Sequence, residues 1–267
     1  MSGVPDTDRT ARLWGRVADV YDTAIPFFGV LGQRLVDALG PRPGERVLDV
    51  ATGRGACLFA AVERVGTDGH LVGVDLSSEM VHATARDLSG RGVSNAAVLS
   101  MDAQQLGFAP ESFEIVACSQ AMNEFPDPSV AAREFRRVIR EGGRIGVQRD
   151  VAMDPRWGFT TEAYMVFLDR LPAPPKPRRK LDVAATLDEA GFMDVERTET
   201  KVAFVFPDEQ AWWDWAWTTG SGRRNLEPLP EDARMQYRTV VFDRLQELRT
   251  ADGFPLELTI ERVVARR

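Results

Sequence analysis

Hydrophobic and polar positions follow two alternating periods through the first half of the chain. Five short, nearly continuous apolar runs predict buried parallel strands, at residues 46–50, 71–75, 97–100, 113–117 and 143–148. Between them, apolar residues at helical spacing predict helices at residues 57–65, 78–88 and 128–139. This alternation predicts an α/β fold with a parallel sheet, right-handed crossovers and a ligand bound beyond the carboxyl ends of the strands.

The flanking segments are less regular. The pattern of residues 9–39 predicts helices with a break at residues 25–26. Residues 150–171 are predicted to form an irregular arm with a short helix, and residues 172–180 to form a proline-rich basic connector. Beyond it, the pattern predicts a helix at residues 181–190 and a strand at 195–206, followed by a tryptophan-rich segment at 208–219. A helix at residues 231–249 and a strand at 256–264 complete the prediction. We therefore expect one domain, made of an N-terminal helical cap (1–40), a ligand-binding core (41–150) and a part (151–267) that completes the sheet and adds cap helices.

Composition narrows the class of protein. The 33 Lys and Arg residues against 40 Asp and Glu residues give a net charge of −7, which argues against a nucleic-acid partner. No run approaches the roughly 18 apolar residues of a membrane span, and the N-terminus has no apolar signal-peptide core. Two cysteines form neither a disulfide framework nor a Cys-only zinc site. We expect a cytosolic protein without membrane or metal partners.

The main chemical signal lies where the first predicted strand meets its helix. Small residues at Ala51, Gly53 and Gly55 allow a ligand to approach the backbone, and the helix that follows begins with free N–H groups. Asp75 ends the second strand 20 residues after Gly55. A carboxylate at that position suits two ribose hydroxyls, so we expect an adenosine-containing ligand.

Two further carboxylates favour one such ligand. The turn half-matches the dinucleotide fingerprint, but Asp49 would repel an anionic pyrophosphate, whereas it would attract the ammonium and sulfonium groups of S-adenosylmethionine. Asp102, after the third strand, suits the adenine amino group. The order Val-Leu-Asp-Val-Ala-Thr-Gly-Arg-Gly, Gly-Val-Asp-Leu-Ser, Met-Asp-Ala and Arg-Val-Ile-Arg-Glu-Gly-Gly-Arg resembles class I S-adenosylmethionine-dependent methyltransferases, most closely the quinone-biosynthesis and small-molecule branch.

The resemblance covers residues 40–150 closely and implies a fold. It implies a Rossmann-like, seven-stranded, mostly parallel sheet with helices on both faces, in which the last strand is reversed. Residues 195–206 and 256–264 are candidates for the final antiparallel pair, and the flanking helices would form the cap over the site.

The resemblance also implies roles for residues. Asp75 should hold the ribose, Ser119 should lie at the methionine end, and Tyr21 should cover the cofactor. Ala51 departs from the glycine more usual in the family. The full set of expected cofactor-binding residues is Tyr21, Asp49, Ala51, Thr52, Gly53, Gly55, Asp75, Leu76, Met80, Asp102, Ala103 and Ser119.

The acceptor side of the site is less defined. Related sequences often have a histidine soon after the fourth strand, where this chain has Asn123 and Glu124, and neither His70 nor His82 is well placed as a base. Asn123 and Glu124 are the candidate catalytic residues, able to orient an acceptor; otherwise water or a carboxylate from the C-terminal half takes its proton.

Aromatic residues of the C-terminal half suggest the character of the acceptor. At helical spacing, Trp212 and Trp215 share one face and Trp213 and Trp217 another, so one pair can pack on the sheet. With Tyr164, Trp213 and Trp217 are candidates for a pocket that takes an aromatic or largely apolar acceptor; a subunit contact in a homodimer is the alternative. The basic run at residues 176–180 is either a solvated loop or steers an acidic substrate.

Together these features predict a methyltransferase that uses S-adenosylmethionine, yields S-adenosylhomocysteine and acts on a small molecule of specialised metabolism. Two alternatives stay open from the sequence. The first is a protein of the same fold that binds the cofactor but catalyses a cyclisation or rearrangement. The second is an RNA or protein methyltransferase, against which the acidic balance and the lack of an added RNA-binding module argue.

Overall fold

The computed structural model describes residues 7–171 and 181–267. Within them the chain forms the predicted helices and strands in the predicted order, with one further helix, Gly220–Leu226, that the sequence pattern did not predict. The helices are α1 (Thr7–Gly15), α2 (Phe27–Leu39), α3 (Ala56–Val65), α4 (Ser78–Gly90), α5 (Pro128–Val138), α6 (Phe159–Met165), α7 (Val183–Glu189), α8 (Glu209–Thr218), α9 (Gly220–Leu226) and α10 (Glu231–Leu245). The strands are β1 (Arg46–Val50), β2 (His70–Asp75), β3 (Ala96–Ser100), β4 (Phe113–Ser119), β5 (Ile139–Met153), β6 (Met193–Phe206) and β7 (Phe254–Arg266). The basic run at residues 176–180 lies outside the described residues.

The described strands form a single sheet of seven, in the order β3-β2-β1-β4-β5-β7-β6. Strands β1 to β5 pair in parallel, and β7 pairs antiparallel with both β5 and β6. The predicted reversed strand is therefore confirmed. The chain changes direction across the sheet between β1 and β4, and in open α/β sheets ligands bind beyond the strand ends at such a point.

Side-chain alternation along the central strands separates two apolar layers. Leu48 of β1 packs with α5 and α7 residues on one face of the sheet, whereas its neighbour Val47 packs with α2 and α3 on the other. Successive residues of a strand point to opposite faces, which is why the nearly continuous apolar runs belong to a sheet covered on both sides. Helices on both faces are thus confirmed.

The N-terminal break is wider than the two residues predicted. Helix α1 ends at Gly15, and turns occupy the chain until α2 begins at Phe27. Asp22 has a left-handed φ of 59°, and its two carboxylate oxygens accept from the N–H groups of Phe28 (2.8 Å) and Gly29 (2.9 Å). This carboxylate supplies the capping acceptors that Pro26 at the helix start lacks, so the chain must turn before α2.

The C-terminal half builds an aromatic core of its own. Strand β5 continues to Met153, beyond the predicted run, before the chain enters a 3₁₀ turn and α6. Trp157 in that turn is fully buried, and its Nε1 donates to the Pro255 oxygen at 2.9 Å. Its ring contacts Phe206 and Trp212, so the arm is fixed to the sheet and to α8. None of the helices in the described ranges is long and apolar enough to span a bilayer.

We expect Gly32→Ala to destabilise the fold by roughly 1–3 kcal/mol, the usual effect of overpacking. A Cβ at Gly32 would lie 2.5 Å from the carbonyl carbon of Ala56, so α2 and the start of α3 would have to separate. Urea unfolding measures the change. The matched control is Gly29→Ala on the exposed side of α2, where the nearest atom is 3.5 Å away and alanine's better helix propensity should leave stability equal or higher. Equal effects of the two variants would contradict this packing argument.

Candidate active site

The backbone between β1 and α3, which we call the glycine turn (residues 51–55), takes up three left-handed conformations. Ala51, Gly53 and Gly55 have φ values of 54°, 53° and 81°. Glycine adopts such values freely, but for alanine they cost about 1–2 kcal/mol. The small residues predicted for close ligand approach are therefore also the ones that the turn geometry demands.

Asp49 holds this turn from inside the protein. Its side chain is buried, and its Oδ2 accepts from Thr52 Oγ1 (2.6 Å) and from the N–H of Leu58 in the first turn of α3 (3.0 Å). Gly55 is the N-cap residue of α3 and has no side chain to satisfy these donors. Asp49 thus replaces the missing cap, and its negative charge is favourable at a helix N-terminus.

Asp75 connects the glycine turn to the start of α4. One carboxylate oxygen accepts from Gly53 N–H (2.8 Å) and the other from Ser77 N–H (2.9 Å). Burial raises the pKa of Asp75, and these backbone donors counteract part of that rise. Each oxygen has a second lone-pair direction, so the carboxylate can still accept two more hydrogen bonds from a ligand.

A cavity opens at the carboxyl ends of β1 to β4, beside Asp75. Ten of the residues expected from the sequence line it: Tyr21, Ala51, Gly53, Asp75, Leu76, Met80, Asp102, Ala103, Ser119 and Glu124. Tyr21 lies against Gly53, where an added Cβ would be 3.7 Å from its Cε1 atom, and its ring stacks on Phe28 with centroids 4.4 Å apart. The ring is thereby fixed over the glycine turn.

Several expected residues lie elsewhere. Asp49, Thr52 and Gly55 form the inner side of the turn and do not line the cavity. The electrostatic argument for Asp49 is therefore corrected, since its carboxylate faces α3. Asn123 is exposed on the 3₁₀ helix Met122–Glu124 and is not among the lining residues, whereas its neighbour Glu124 is.

The three candidates for an acceptor pocket also lie outside the cavity. Trp213 packs against the rings of Trp217, Tyr237 and Phe242, and the Tyr164 hydroxyl donates to the Asn225 oxygen at 3.2 Å. On the other face of α8, Trp212 and Trp215 pack toward the arm and β6. Both faces of α8 are thus covered by apolar neighbours, and the helix spacing alone could not reveal that α10 covers the second one.

The sequence reasoning missed residues that α1, the end of β3 and the loop after β4 bring to the cavity. These are Thr7, Thr10, Trp14, Met101, Gln120, Ala121, Phe125 and Pro126. Gln120 and Ala121 directly follow a predicted strand end, which is a usable signal. Residues of α1 precede β1 by more than 30 positions, and no local pattern points from them to the site.

The charges on the cavity wall are all negative. Asp75, Asp102 and Glu124 line it, and no Lys, Arg or His of the described ranges does. Glu124 forms an ion pair with Arg224 of α9 at the rim. Carboxylates together with the apolar side chains of Leu76 and Met80 suit a ligand that has a cationic group and a flat apolar part.

The cavity wall formed by the described residues contains no histidine that could act as a base. The two histidines, His70 and His82, are exposed and do not line the cavity. Burial, together with Asp22 and Asp75, raises the pKa of Tyr21 well above its usual range, so its hydroxyl keeps the proton. Burial likewise raises the pKa of the Cys57 thiol.

Comparison with known proteins gives a consistent result. A family model for a methyltransferase domain matches residues 41–166. The nocamycin O-methyltransferase of Saccharothrix syringae is 35% identical over 230 residues, which span 78% of this chain and 81% of that protein. The aklanonic acid methyltransferase DauC of Streptomyces sp. (strain C5) is 30% identical over 201 residues, or 69% of this chain and 91% of that protein.

Solved structures agree in fold. The YcgJ protein from Bacillus subtilis matches with a TM-score of 0.57 over 88% of this chain and 98% of that chain. Its sequence identity is 20%, so the likeness concerns the fold alone. The expected seven-stranded Rossmann-like architecture is therefore confirmed both by the topology and by this neighbour.

The buried Asp49 should make stability depend on pH. Burial raises its pKa to about 7 in the folded protein, from an ordinary value near 4. The folded state therefore binds the proton more tightly than the unfolded state, and this stabilisation is present below about pH 4 and lost as the pH rises to about 7.

Asp49→Asn imitates the protonated acid at every pH. We expect the free energy of unfolding of the unsubstituted protein, relative to that of the variant, to fall by on the order of 3 kcal/mol between pH 4 and pH 7. Urea unfolding of both proteins in the absence of cofactor gives this difference, and other titrating groups cancel in it. A difference that does not change with pH would show that Asp49 is not held in an apolar surrounding.

Proposed function

The chain belongs to the class I S-adenosylmethionine-dependent methyltransferases, and we propose that it transfers the methyl group to an anionic oxygen atom of a small-molecule acid. The observation on which this proposal rests most is that the residues the structure describes place no histidine, tyrosinate or thiolate base in the cavity wall. An acceptor that is already ionised needs no base.

The residues present fit S-adenosylmethionine. Asp75, with two lone-pair directions left, would hold the ribose hydroxyls, and Asp102 would accept from the adenine amino group. Leu76 and Met80 offer apolar contact to the adenine ring, and the glycine turn with Ser119 leaves space for the methionine part. The negative wall complements the positive charges of the ligand.

When bound, S-adenosylmethionine supplies a methyl group on a sulfonium whose leaving group is already activated. The protein's own part is then to align the acceptor and exclude water. Tyr21 and Trp14, in edge-to-face contact at 6.1 Å, cover the cavity from the N-terminal side and serve that exclusion. In such a transfer an oxygen lone pair of the acceptor would form the new O–C bond while the S–C bond broke and left its electrons on sulfur, so no residue of the chain would have to accept a proton.

An acidic acceptor is supported by two further observations. The first is that the nocamycin relative is named an O-methyltransferase and the second relative is named for aklanonic acid, and we place this chain in natural-product metabolism with them. The second observation is that Arg224 of α9 pairs with Glu124, which balances the charge of one carboxylate in the wall and reduces its repulsion of an anion.

The alternatives opened by the sequence differ from this proposal in the product. Methylation adds one CH₂ to the mass of the acceptor, whereas cyclisation or rearrangement leaves the mass unchanged. An RNA acceptor would bind with a strong dependence on salt. The cytosolic location and the homodimer remain predictions from the sequence.

Asp75→Ala should weaken cofactor binding. Two charge-assisted hydrogen bonds to the ribose would be lost, each contributing about 1.5–3 kcal/mol, so we expect the Kd for S-adenosylmethionine to rise at least ~10-fold. Calorimetry measures this, with NAD as a ligand that should not bind.

Because Asp75 also accepts from Gly53 and Ser77, circular dichroism must show that the variant remains folded. Asp68→Ala, an exposed aspartate before β2, is the matched control and should bind the cofactor unchanged. An unaltered Kd in the Asp75 variant would remove Asp75 from the site.

The acceptor's ionisation should appear in the pH profile. With aklanonic acid as the test acceptor and saturating S-adenosylmethionine, we expect methylation detected by product mass, and kcat/KM that is flat between about pH 6 and 9, since a carboxylic acid near pKa 4 is fully ionised there. A rise with pH through a single pKa in that range would indicate a base or a phenolic acceptor instead.

A further inference from the structure

One polar atom in the cavity wall has no partner among the described residues. It is the amide nitrogen Nε2 of Gln120, which is inaccessible to solvent in the folded chain. A buried donor without an acceptor is unfavourable, and such groups in folded proteins usually mark a missing ligand or water. The atom can donate but cannot accept, so the group that it awaits is an oxygen or another acceptor.

The orientation of the Gln120 amide is fixed by its other end. Oε1 accepts from the backbone N–H of Asp150 at 3.1 Å, which only the oxygen can do, so Nε2 must point the other way. The Gln120 backbone N–H donates to the Gln148 oxygen at 2.8 Å, and the residue has a left-handed φ of 59°. A non-glycine residue held in that conformation stores strain, and strain of this kind concentrates at functional sites.

Gln120 could contact either the cofactor or the methyl acceptor, and its position relative to the strands favours the acceptor. Asp75, which ends β2, and Asp102, which follows β3, suit the adenosine part. Gln120 follows β4 and is bonded to β5, on the opposite side of the glycine turn in the strand order. Gln120 therefore lies on the β4–β5 side of the cavity wall, away from the residues that suit the adenosine part.

We propose that Gln120 determines acceptor specificity, with Nε2 donating a hydrogen bond to one oxygen of the acceptor's acidic group. The second oxygen is then directed toward the methyl group. This inference rests on the proposed acidic acceptor and adds the residue that recognises it. It also explains why a glutamine, with donor and acceptor on one planar group, stands at a strained position between two strands.

The test compares two small ligands that differ in one group, 2-naphthoate and 2-naphthamide. Each is titrated by calorimetry into the complex of the full chain with S-adenosylhomocysteine. The proteins are the unsubstituted chain, Gln120→Met, Gln120→Glu and the control Gln105→Glu, which makes the same charge change at an exposed glutamine outside the cavity. Glutamate at position 120 keeps an oxygen for the Asp150 N–H but replaces the donor by an anion.

We expect the unsubstituted chain to bind the carboxylate about 10-fold more tightly than the amide, because a charge-assisted hydrogen bond is stronger than a neutral one. Gln120→Met should abolish most of this preference, Gln120→Glu should reverse it, and Gln105→Glu should leave it intact. The Kd for S-adenosylhomocysteine should stay within about 2-fold in all four proteins, because none of these residues is assigned to the cofactor.

The failures can be told apart. If the unsubstituted chain shows no preference for the carboxylate, the acidic acceptor is wrong, and the role of Gln120 is lost with it. If that preference exists but survives in Gln120→Glu, only the role of Gln120 is wrong. A selective loss of S-adenosylhomocysteine binding in the Gln120 variants would mean that the amide contacts the cofactor, which also overturns the inference.

Discussion

The site depends on the burial of one carboxylate beneath the glycine turn. Asp49 links the end of β1 to the first turn of α3 through Thr52 and Leu58. The strand next to it leaves the necessary room, because a Cβ at Gly73 would lie 2.9 Å from Thr52 Oγ1. Desolvation of the charge is unfavourable, and the hydroxyl, the N–H group and the helix dipole offset only part of it. The turn that lines the cavity is thus held by a residue that is buried and does not line the cavity itself.

The negative charge of the cavity wall comes from residues other than Asp49. The sequence places Asp49 beside the glycines, and proximity along the chain suggested that it would attract the cationic end of the ligand. In the structure the wall is negative because of Asp75, Asp102 and Glu124, which come from three different strand ends. Asp75 also helps to hold the turn, since Gly53 donates to it. Asp49 therefore supports the backbone of the turn from within the protein, whereas Asp75 supports it from the cavity wall.

Features that repeat along the chain were predictable, and those that depend on packing between distant segments were not. The apolar runs identified the central strands because a sheet covered on both faces needs apolar residues at every position. The turn glycines and Asp75 were found because strand ends meet at one edge. By contrast, Trp213 and Trp217 show the same helical spacing whether α10 or a ligand covers them. The contribution of α1 depends on the turns before α2, which Asp22 fixes through contacts six and seven residues away.

The aromatic interior of the C-terminal half has a consequence for the acceptor side of the cavity. Since the tryptophans of α8 are used in packing, the wall there is made by α1 and by the loop after β4. Helix α9 is joined to these segments through exposed ion pairs, Arg16 with Glu227 and Arg224 with Glu124. Exposed pairs of this kind contribute about 0–1 kcal/mol each, far less than a packed aromatic core. The contact of α9 with α1 and Glu124 is therefore held more weakly than the aromatic core behind it.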